Sequence, residues 1–154
     1  MSRVSFDDVA VAYDDFMGRW TRSFVPALVR AAGIAPGQRV LDVATGTGES
    51  ALLLADAVGV GGSVLGADIS LPMLVRASGK IAGRPIRLVA ADGQALACRP
   101  ETFDRVVCQF GLHFFPDPVA GVREARERRV RAPMIMLTSA EFCTSDWNRL
   151  RWHR

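Results

Sequence analysis

The sequence predicts an α/β fold: an open, mostly parallel sheet of about five strands with helices on both faces. Three observations predict it. Arg39 to Gly48 reads RVLDVATGTG, a short β-branched apolar run followed by a glycine turn. A helical stretch then leads to a second strand-like run that ends on Asp68, twenty residues after Gly48. Two more apolar runs, Ile86 to Ala90 and Phe103 to Gln109, continue the alternation of strand and helix that builds a parallel sheet.

Each element has a local reason. Between Val4 and Trp20, the residues Phe6, Val9, Ala10, Tyr13, Phe16 and Met17 recur at three- and four-residue steps, which predicts a helix ended by Gly18. A second helix is expected from about Ser23 to Ala32, with Pro26 in its first turn and Gly33 at its end. Pro36-Gly37 turns the chain into the first strand, where Asp42 interrupts Val40, Leu41 and Val43. Thr45-Gly46-Thr47-Gly48 allows a tight turn, because glycine tolerates positive φ and lets backbone approach a ligand closely. Glu49 to Val58 reads as a helix with Leu52, Leu53 and Ala55 toward a core. Gly59 to Gly62 leads into a second strand, Ser63 to Ala67. Ser70 is placed to cap a third helix, with Pro72 in its first turn and Met73, Leu74 and Ala77 inward. Ala91-Asp92-Gly93 follows the third strand at its carboxyl end. The fourth strand runs on into FGLHFFPD, and Pro116 and Pro118 flank a turn into a helix from about Val119 to Val130. Met134 to Thr138 forms a short fifth strand.

Strand, glycine turn, helix and an acidic residue at the second strand's tip open a nucleotide-binding unit, with Asp68 placed to accept from ribose hydroxyls. Two ligand classes fit. Gly46-x-Gly48-x-x-Ala51 satisfies a dinucleotide pattern with alanine in third place. Asp42 argues the other way: a carboxylate just before the turn repels pyrophosphate but tolerates a cationic amine or sulfonium. S-adenosylmethionine is such a ligand. At the tip of the fourth strand, Gln109 to His113 are expected to face the methionine half of that ligand. His113 is a candidate general base near neutral pH, or else an aromatic packed beside Phe114 and Phe115.

Residues 39–48, Asp68, Asp92 and the run Phe103 to Asp117 together resemble a class I S-adenosylmethionine-dependent methyltransferase, similar to the ubiquinone/menaquinone biosynthesis group. Asp42-Val43-Ala44-Thr45-Gly46-Thr47-Gly48 matches the first motif, with Ala44 where a glycine often sits, a departure of one methyl group. The resemblance implies a Rossmann-like sheet in the order 3-2-1-4-5. It implies S-adenosyl-L-methionine as cofactor and methyl transfer to a small-molecule acceptor. It places Ile69 and Met73 near the adenine, and has Asp92, beside Gly93, accept the adenine amino group; the other reading of Asp92 is an Asx-type turn. It also makes the N-terminal helices a cover over the cofactor, with Tyr13, Met17 and Trp20 lining a lid. Beyond Arg123 the resemblance decays. Resembling enzymes continue past the fifth strand to an antiparallel hairpin, for which this chain has no counterpart. The expected organisation is a cofactor-binding domain over 1–138, its helical cap over 1–36, and a divergent basic tail over 139–154. A domain truncated in this way is expected to bind cofactor weakly, to transfer little methyl, and to self-associate through an exposed sheet edge.

Composition sets the remaining bounds. The 154 residues, 49% of them hydrophobic, suffice for one domain with a core. The net charge of +3 is uneven, −1 over residues 1–120 and +4 over residues 121–154. The arginines of the basic end are not interleaved with stacking aromatics, so a nucleic-acid partner is not expected. No apolar run reaches the ~20 residues of a membrane span. Cys98, Cys108 and Cys143 lack CxxC spacing, which indicates neither a disulfide framework nor a metal site. A reducing cytoplasm is the default location. Two other functions remain open: a non-catalytic fragment that binds cofactor or a partner chain, and an NAD-dependent oxidoreductase.

Overall fold

The computed structural model describes residues 10–128 and 135–137. The expected helical turn at residues 4–9, the ends of the last helix and last strand, and the tail at 139–154 lie outside them. In chain order the elements are α1 (Ala10–Ala32), β1 (Arg39–Val43), α2 (Glu49–Val58), β2 (Ser63–Asp68), α3 (Leu71–Ser78) and β3 (Ile86–Ala90). Then come β4 (Arg105–Gln109), a 3₁₀ turn (Leu112–Phe114), α4 (Pro118–Glu127) and β5 (Ile135–Leu137). The sheet is parallel, in the order β3-β2-β1-β4-β5. β1 lies at its centre, with Val40 opposite both Val64 of β2 and Arg105 of β4.

The central strand is buried on both faces, which is why it reads as a near-continuous apolar run. Val40 packs with Leu28, Ala32, Leu54 and Val58 of α1 and α2, while Leu41 and Val43 pack on the other face with Leu96, Phe103 and Ala125. Each of these Val, Leu and Phe side chains, removed from water, stabilises the fold by about 1.5–3 kcal/mol. In α2 the buried stripe is Ala51, Leu54, Ala55 and Val58. Leu52 and Leu53, expected to face the core, are only half-buried; Leu54 takes the deepest place. α3 is capped by the Ser70 hydroxyl, and α4 by the Asp117 carboxylate, which accepts from Ala120 N at 3.0 Å. β4 starts two residues later than expected. Asp104 is used instead as a clasp, its Oδ2 accepting from Arg39 N at 2.7 Å.

The N-terminal region departs most from expectation. The anticipated break at Gly18 is absent, and α1 is one helix of 23 residues. Gly18 is buried, and a Cβ there would lie 3.6 Å from Cγ of Glu49. The glycine serves close packing of α1 on α2, not termination. Pro26, expected in a first turn, lies inside the helix, where it has no N–H for the Arg22 carbonyl. Its side chain is exposed, so Pro26→Ala removes little packing. The variant is expected to be more stable by about 2 kcal/mol, most of the ~3 kcal/mol that separates alanine from an interior proline. Urea unfolding checks this, and a midpoint unchanged or lower would contradict it.

Candidate functional site

Open parallel sheets bind ligands outside the carboxyl ends of their strands, where the strand order reverses. Here that point lies between β1 and β4. The turn after β1 carries three residues at positive φ: Ala44 at 57°, Gly46 at 57° and Gly48 at 85°. An alanine held there is strained by about 1–2 kcal/mol, so the departure at Ala44 is more than one added methyl group. Thr45 N donates to the Ala67 carbonyl at 3.0 Å, and Gly46 N donates to Asp68 Oδ2 at 2.8 Å, which ties the turn to the tip of β2. The other oxygen of Asp68 accepts from Ser70 N at 2.9 Å.

Asp42 holds the turn from behind. It is fully buried, and its Oδ2 accepts from Thr45 Oγ1 at 2.7 Å and Ser50 Oγ at 2.5 Å. Its Oδ1 is buried without a hydrogen bond. Burial pushes its pKa up to about 6, against the pull of the Ser50 and Thr45 hydroxyls and with a further push from the Asp68 charge.

The strand tips enclose a cleft of about 170 Å³. Eight of the expected residues line it: Ala44, Gly46, Asp68, Ile69, Met73, Asp92, Gly93 and Gln109. Thr45 and Thr47 line a smaller adjoining recess. Asp42, sealed beneath the turn, lines neither. Gly48 is the left-handed residue before α2, and a Cβ there would meet Ala77 at 3.0 Å; it does not line the cleft or the recess. Leu112 is buried, and the tight 3₁₀ turn leaves the next side chain, His113, exposed against the Phe114 ring and outside the cleft lining. Tyr13 belongs to α1, but its side chain lies outside the described residues.

Asp92 forms an Asx turn, its Oδ1 accepting from Gln94 N at 2.9 Å, and still lines the cleft. Gln94 was not anticipated. Its Oε1 accepts from Asp117 N at 2.8 Å, so this side chain joins the tip of β3 to the start of α4. Phe110 and Phe115 form part of the far wall. Phe110 sits at φ 59°, its ring 5.9 Å from Trp20 and 5.4 Å from Phe24 of α1. Phe115 is wedged where a Cβ on Gly93 or Gly121 would come within 2.4 Å of its ring. The sequence signal for that wedge was a glycine inside an otherwise helical segment, Gly121.

α1 is fastened over the turn by charge. Lys80 Nζ pairs with Asp14 and, at 2.7 Å, with Glu49 Oε1, and Arg22 Nη1 stands 3.3 Å from Glu49 Oε2. Burial works to raise the Asp14 pKa, but the Lys80 ammonium and the Thr47 hydroxyl outweigh it and hold the carboxyl below its usual value.

These features define an open Rossmann-like α/β domain with its ligand cleft at the switch point of the sheet. The chain belongs to the methyltransferase-domain family: the family profile described as "Methyltransferase domain" matches residues 40–131. S-adenosylmethionine is the cofactor that this membership implies. A demethylmenaquinone methyltransferase of Renibacterium salmoninarum is 42% identical over 142 residues, covering 89% of this chain and 56% of that protein. A ubiquinone/menaquinone biosynthesis C-methyltransferase of Stenotrophomonas maltophilia is 37% identical, covering 92% of this chain and 59% of that protein. The chain thus spans somewhat over half the length of these relatives. Its fold matches the crystal structure of a SAM-dependent methyltransferase from Aquifex aeolicus with a TM-score of 0.75, at 21% identity, over 86% of this chain and 72% of that one. Among the described residues, no helix is long and apolar enough to cross a membrane.

Proposed function

We propose that the cleft binds S-adenosylmethionine and that the protein transfers its methyl group to a small-molecule acceptor. The observation that carries the reading is the charge of the lining. Asp68 and Asp92 line the cleft, and among the described residues no Lys or Arg does; Glu49 lines the recess and is paired with Lys80 and Arg22. A pyrophosphate in the cleft would meet these two carboxylates with no cation of the lining beside it, which disfavours NAD; a sulfonium ligand meets the opposite sign. In this reading Asp68 accepts from the ribose hydroxyls, Asp92 accepts from the adenine amino group, and Ile69 and Met73 cover the ring. Gly46 leaves room for the ligand, since nothing lies within 4 Å of where its Cβ would be.

S-adenosylmethionine, when bound, supplies a methyl group already activated on sulfur. The chain's part is to hold an acceptor atom in line with that carbon, opposite the sulfur, and to keep water out. Phe110, Phe114, Phe115 and Pro116 give the cleft an apolar wall suited to an uncharged small acceptor. The names of the two relatives favour a quinol-type molecule.

The first test compares S-adenosylhomocysteine with NAD by calorimetry. Binding of NAD alone would reject the reading. Asp68→Ala is expected to weaken S-adenosylhomocysteine by about 1–3 kcal/mol, as an ionised acceptor is lost. Because Asp68 also holds Gly46 N and Ser70 N, unfolding of the variant is measured alongside. Unchanged affinity in a folded variant would remove Asp68 from the site. Transfer itself is checked with labelled S-adenosylmethionine and a panel of phenols and quinols.

A further inference from the structure

Gln94 lines the cleft beside Asp92 and Gly93, and its side chain is engaged at both ends. Its backbone N donates to Asp92 Oδ1 at 2.9 Å and closes the Asx turn. The side-chain amide then returns to the same carboxylate: Nε2 lies 3.1 Å from Oδ1 and 3.4 Å from Oδ2. At the other end, Oε1 accepts from Asp117 N at 2.8 Å. Asp117 is itself fixed, since its carboxylate caps α4 by accepting from Ala120 N at 3.0 Å. Further along, α4 is tied to the same loop twice more. Glu124 Oε1 accepts from Leu96 N at 2.8 Å, and Arg128 Nη1 donates to the Cys98 carbonyl at 2.6 Å.

These partners leave the Gln94 amide one orientation. A backbone N–H only donates and a carboxylate only accepts, so Oε1 must face Asp117 and Nε2 must face Asp92. The hydrogen bonds therefore run in one direction, from Asp117 N through Gln94 to Asp92, and end on an acceptor. A backbone N–H alone would hold one oxygen and let the plane of the carboxylate swing about it. The second donor, anchored on α4, bridges both oxygens and fixes that plane. Oδ1 receives two donors at 2.9 and 3.1 Å, while Oδ2 has only the long 3.4 Å contact and keeps capacity for another.

We infer that Gln94 is a positioning residue: it holds the Asp92 carboxylate in the plane from which Oδ2 accepts the amino group of the ligand's base, and so makes the cleft select a base with a donor at that position. Gln94 acts through Asp92. The inference rests on the cofactor reading above and adds to it the residue that makes Asp92 selective.

The experiment compares two ligands by calorimetry: S-adenosylhomocysteine, and its analogue with hydrogen in place of the 6-amino group. Wild-type protein is expected to bind the first about tenfold more tightly. Gln94→Glu keeps an acceptor for Asp117 N but, when ionised, has no hydrogen for Asp92; Gln94→Leu removes both links. Each variant is expected to weaken S-adenosylhomocysteine about tenfold and to leave the analogue within about twofold, so that the preference for the amino group disappears. A purely structural role would weaken the two ligands alike. Selectivity retained in either folded variant, a parallel loss of both ligands, or a wild type that binds the two equally overturns the inference. Gln94→Glu, which keeps the tie to α4, decides the matter if Gln94→Leu does not fold. Wild-type protein that binds neither ligand overturns the cofactor reading, and this inference with it.

Discussion

Gly111→Ala is expected to cost about 3 kcal/mol or more of stability and to abolish ligand binding. A Cβ on Gly111 would lie 2.3 Å from Cβ of Ala44, well inside contact distance. Neither atom can escape by changing rotamer, since both are fixed to backbone. One of two backbone segments must therefore move: the end of β4, or the glycine turn that forms the floor of the cleft. Overpacking in side-chain cores costs about 1–3 kcal/mol, and a clash between two backbone-fixed carbons belongs at or above the top of that range. The cause can be isolated. Ala44→Gly removes the obstructing atom and leaves Cys108 Sγ, at 3.1 Å, as the nearest neighbour. It also relieves the left-handed alanine, worth about 1–2 kcal/mol, against about 0.4–1 kcal/mol of added unfolded-state entropy. Alone it is expected to be nearly neutral; combined with Gly111→Ala it is expected to restore most of the loss. Urea unfolding of the four proteins gives the coupling, and additive effects would show that the two residues do not meet as described.

Asp42→Asn is expected to remove a dependence of stability on pH of about 3 kcal/mol. The Asp42 pKa rises from 3.8 to about 6 on folding. A difference of about two, at about 1.4 kcal/mol each, gives that figure. The sign follows from the direction. A carboxyl whose folded pKa lies above its unfolded one contributes stability in full below about pH 4, and loses it as pH rises through about 6. Asp14 and Asp104, whose pKa values are lowered by their cationic partners, act in the opposite direction at lower pH. The comparison is therefore wild type minus variant across pH 4–7, in which their contributions cancel. The Asn Oδ1 can still accept from Thr45 and Ser50, so the turn keeps its support. A flat difference curve would mean that folding does not raise the Asp42 pKa.

Much of the fold was legible because the informative signals are local. β1, β2 and β3 are short β-branched runs bounded by glycine, proline or aspartate, and α2 runs over the residues its periodicity indicates. The strand order 3-2-1-4-5, which is not a local signal and was implied by the family resemblance, is the order observed. What misled was residue type read without its neighbours. Gly18 and Pro26 signal a helix break in isolation, yet α1 passes through both, because contacts with α2 and the sheet outweigh the local penalties. His113 has the right chemistry near the right strand tip, but a three-residue turn decides which way it faces. Glu49, Gln94 and Phe115 carry no motif. Their places are set by partners 31, 23 and 22 positions away: Lys80 for Glu49, Asp117 for Gln94, and the gap left by Gly93 for Phe115. Sequence periodicity does not resolve contacts at those separations.

The position of β1 between two neighbours also orders the assembly of the domain in time. Its partner in β2 is 24 residues away, Val40 against Val64, whereas its partner in β4 is 65 residues away, Val40 against Arg105. Closing the longer loop costs about 1 kcal/mol more in chain entropy, so β1 and β2 can meet early while β4 docks late. The glycine turn and Asp68 belong to the early part, Gln109 and the Phe110 wall to the late one. A ligand that spans both halves therefore finds its site only after β4 has arrived. It acts as a brake on unfolding rather than as a template for folding: added S-adenosylhomocysteine is expected to slow the unfolding limb of the kinetics and leave the refolding rate unchanged.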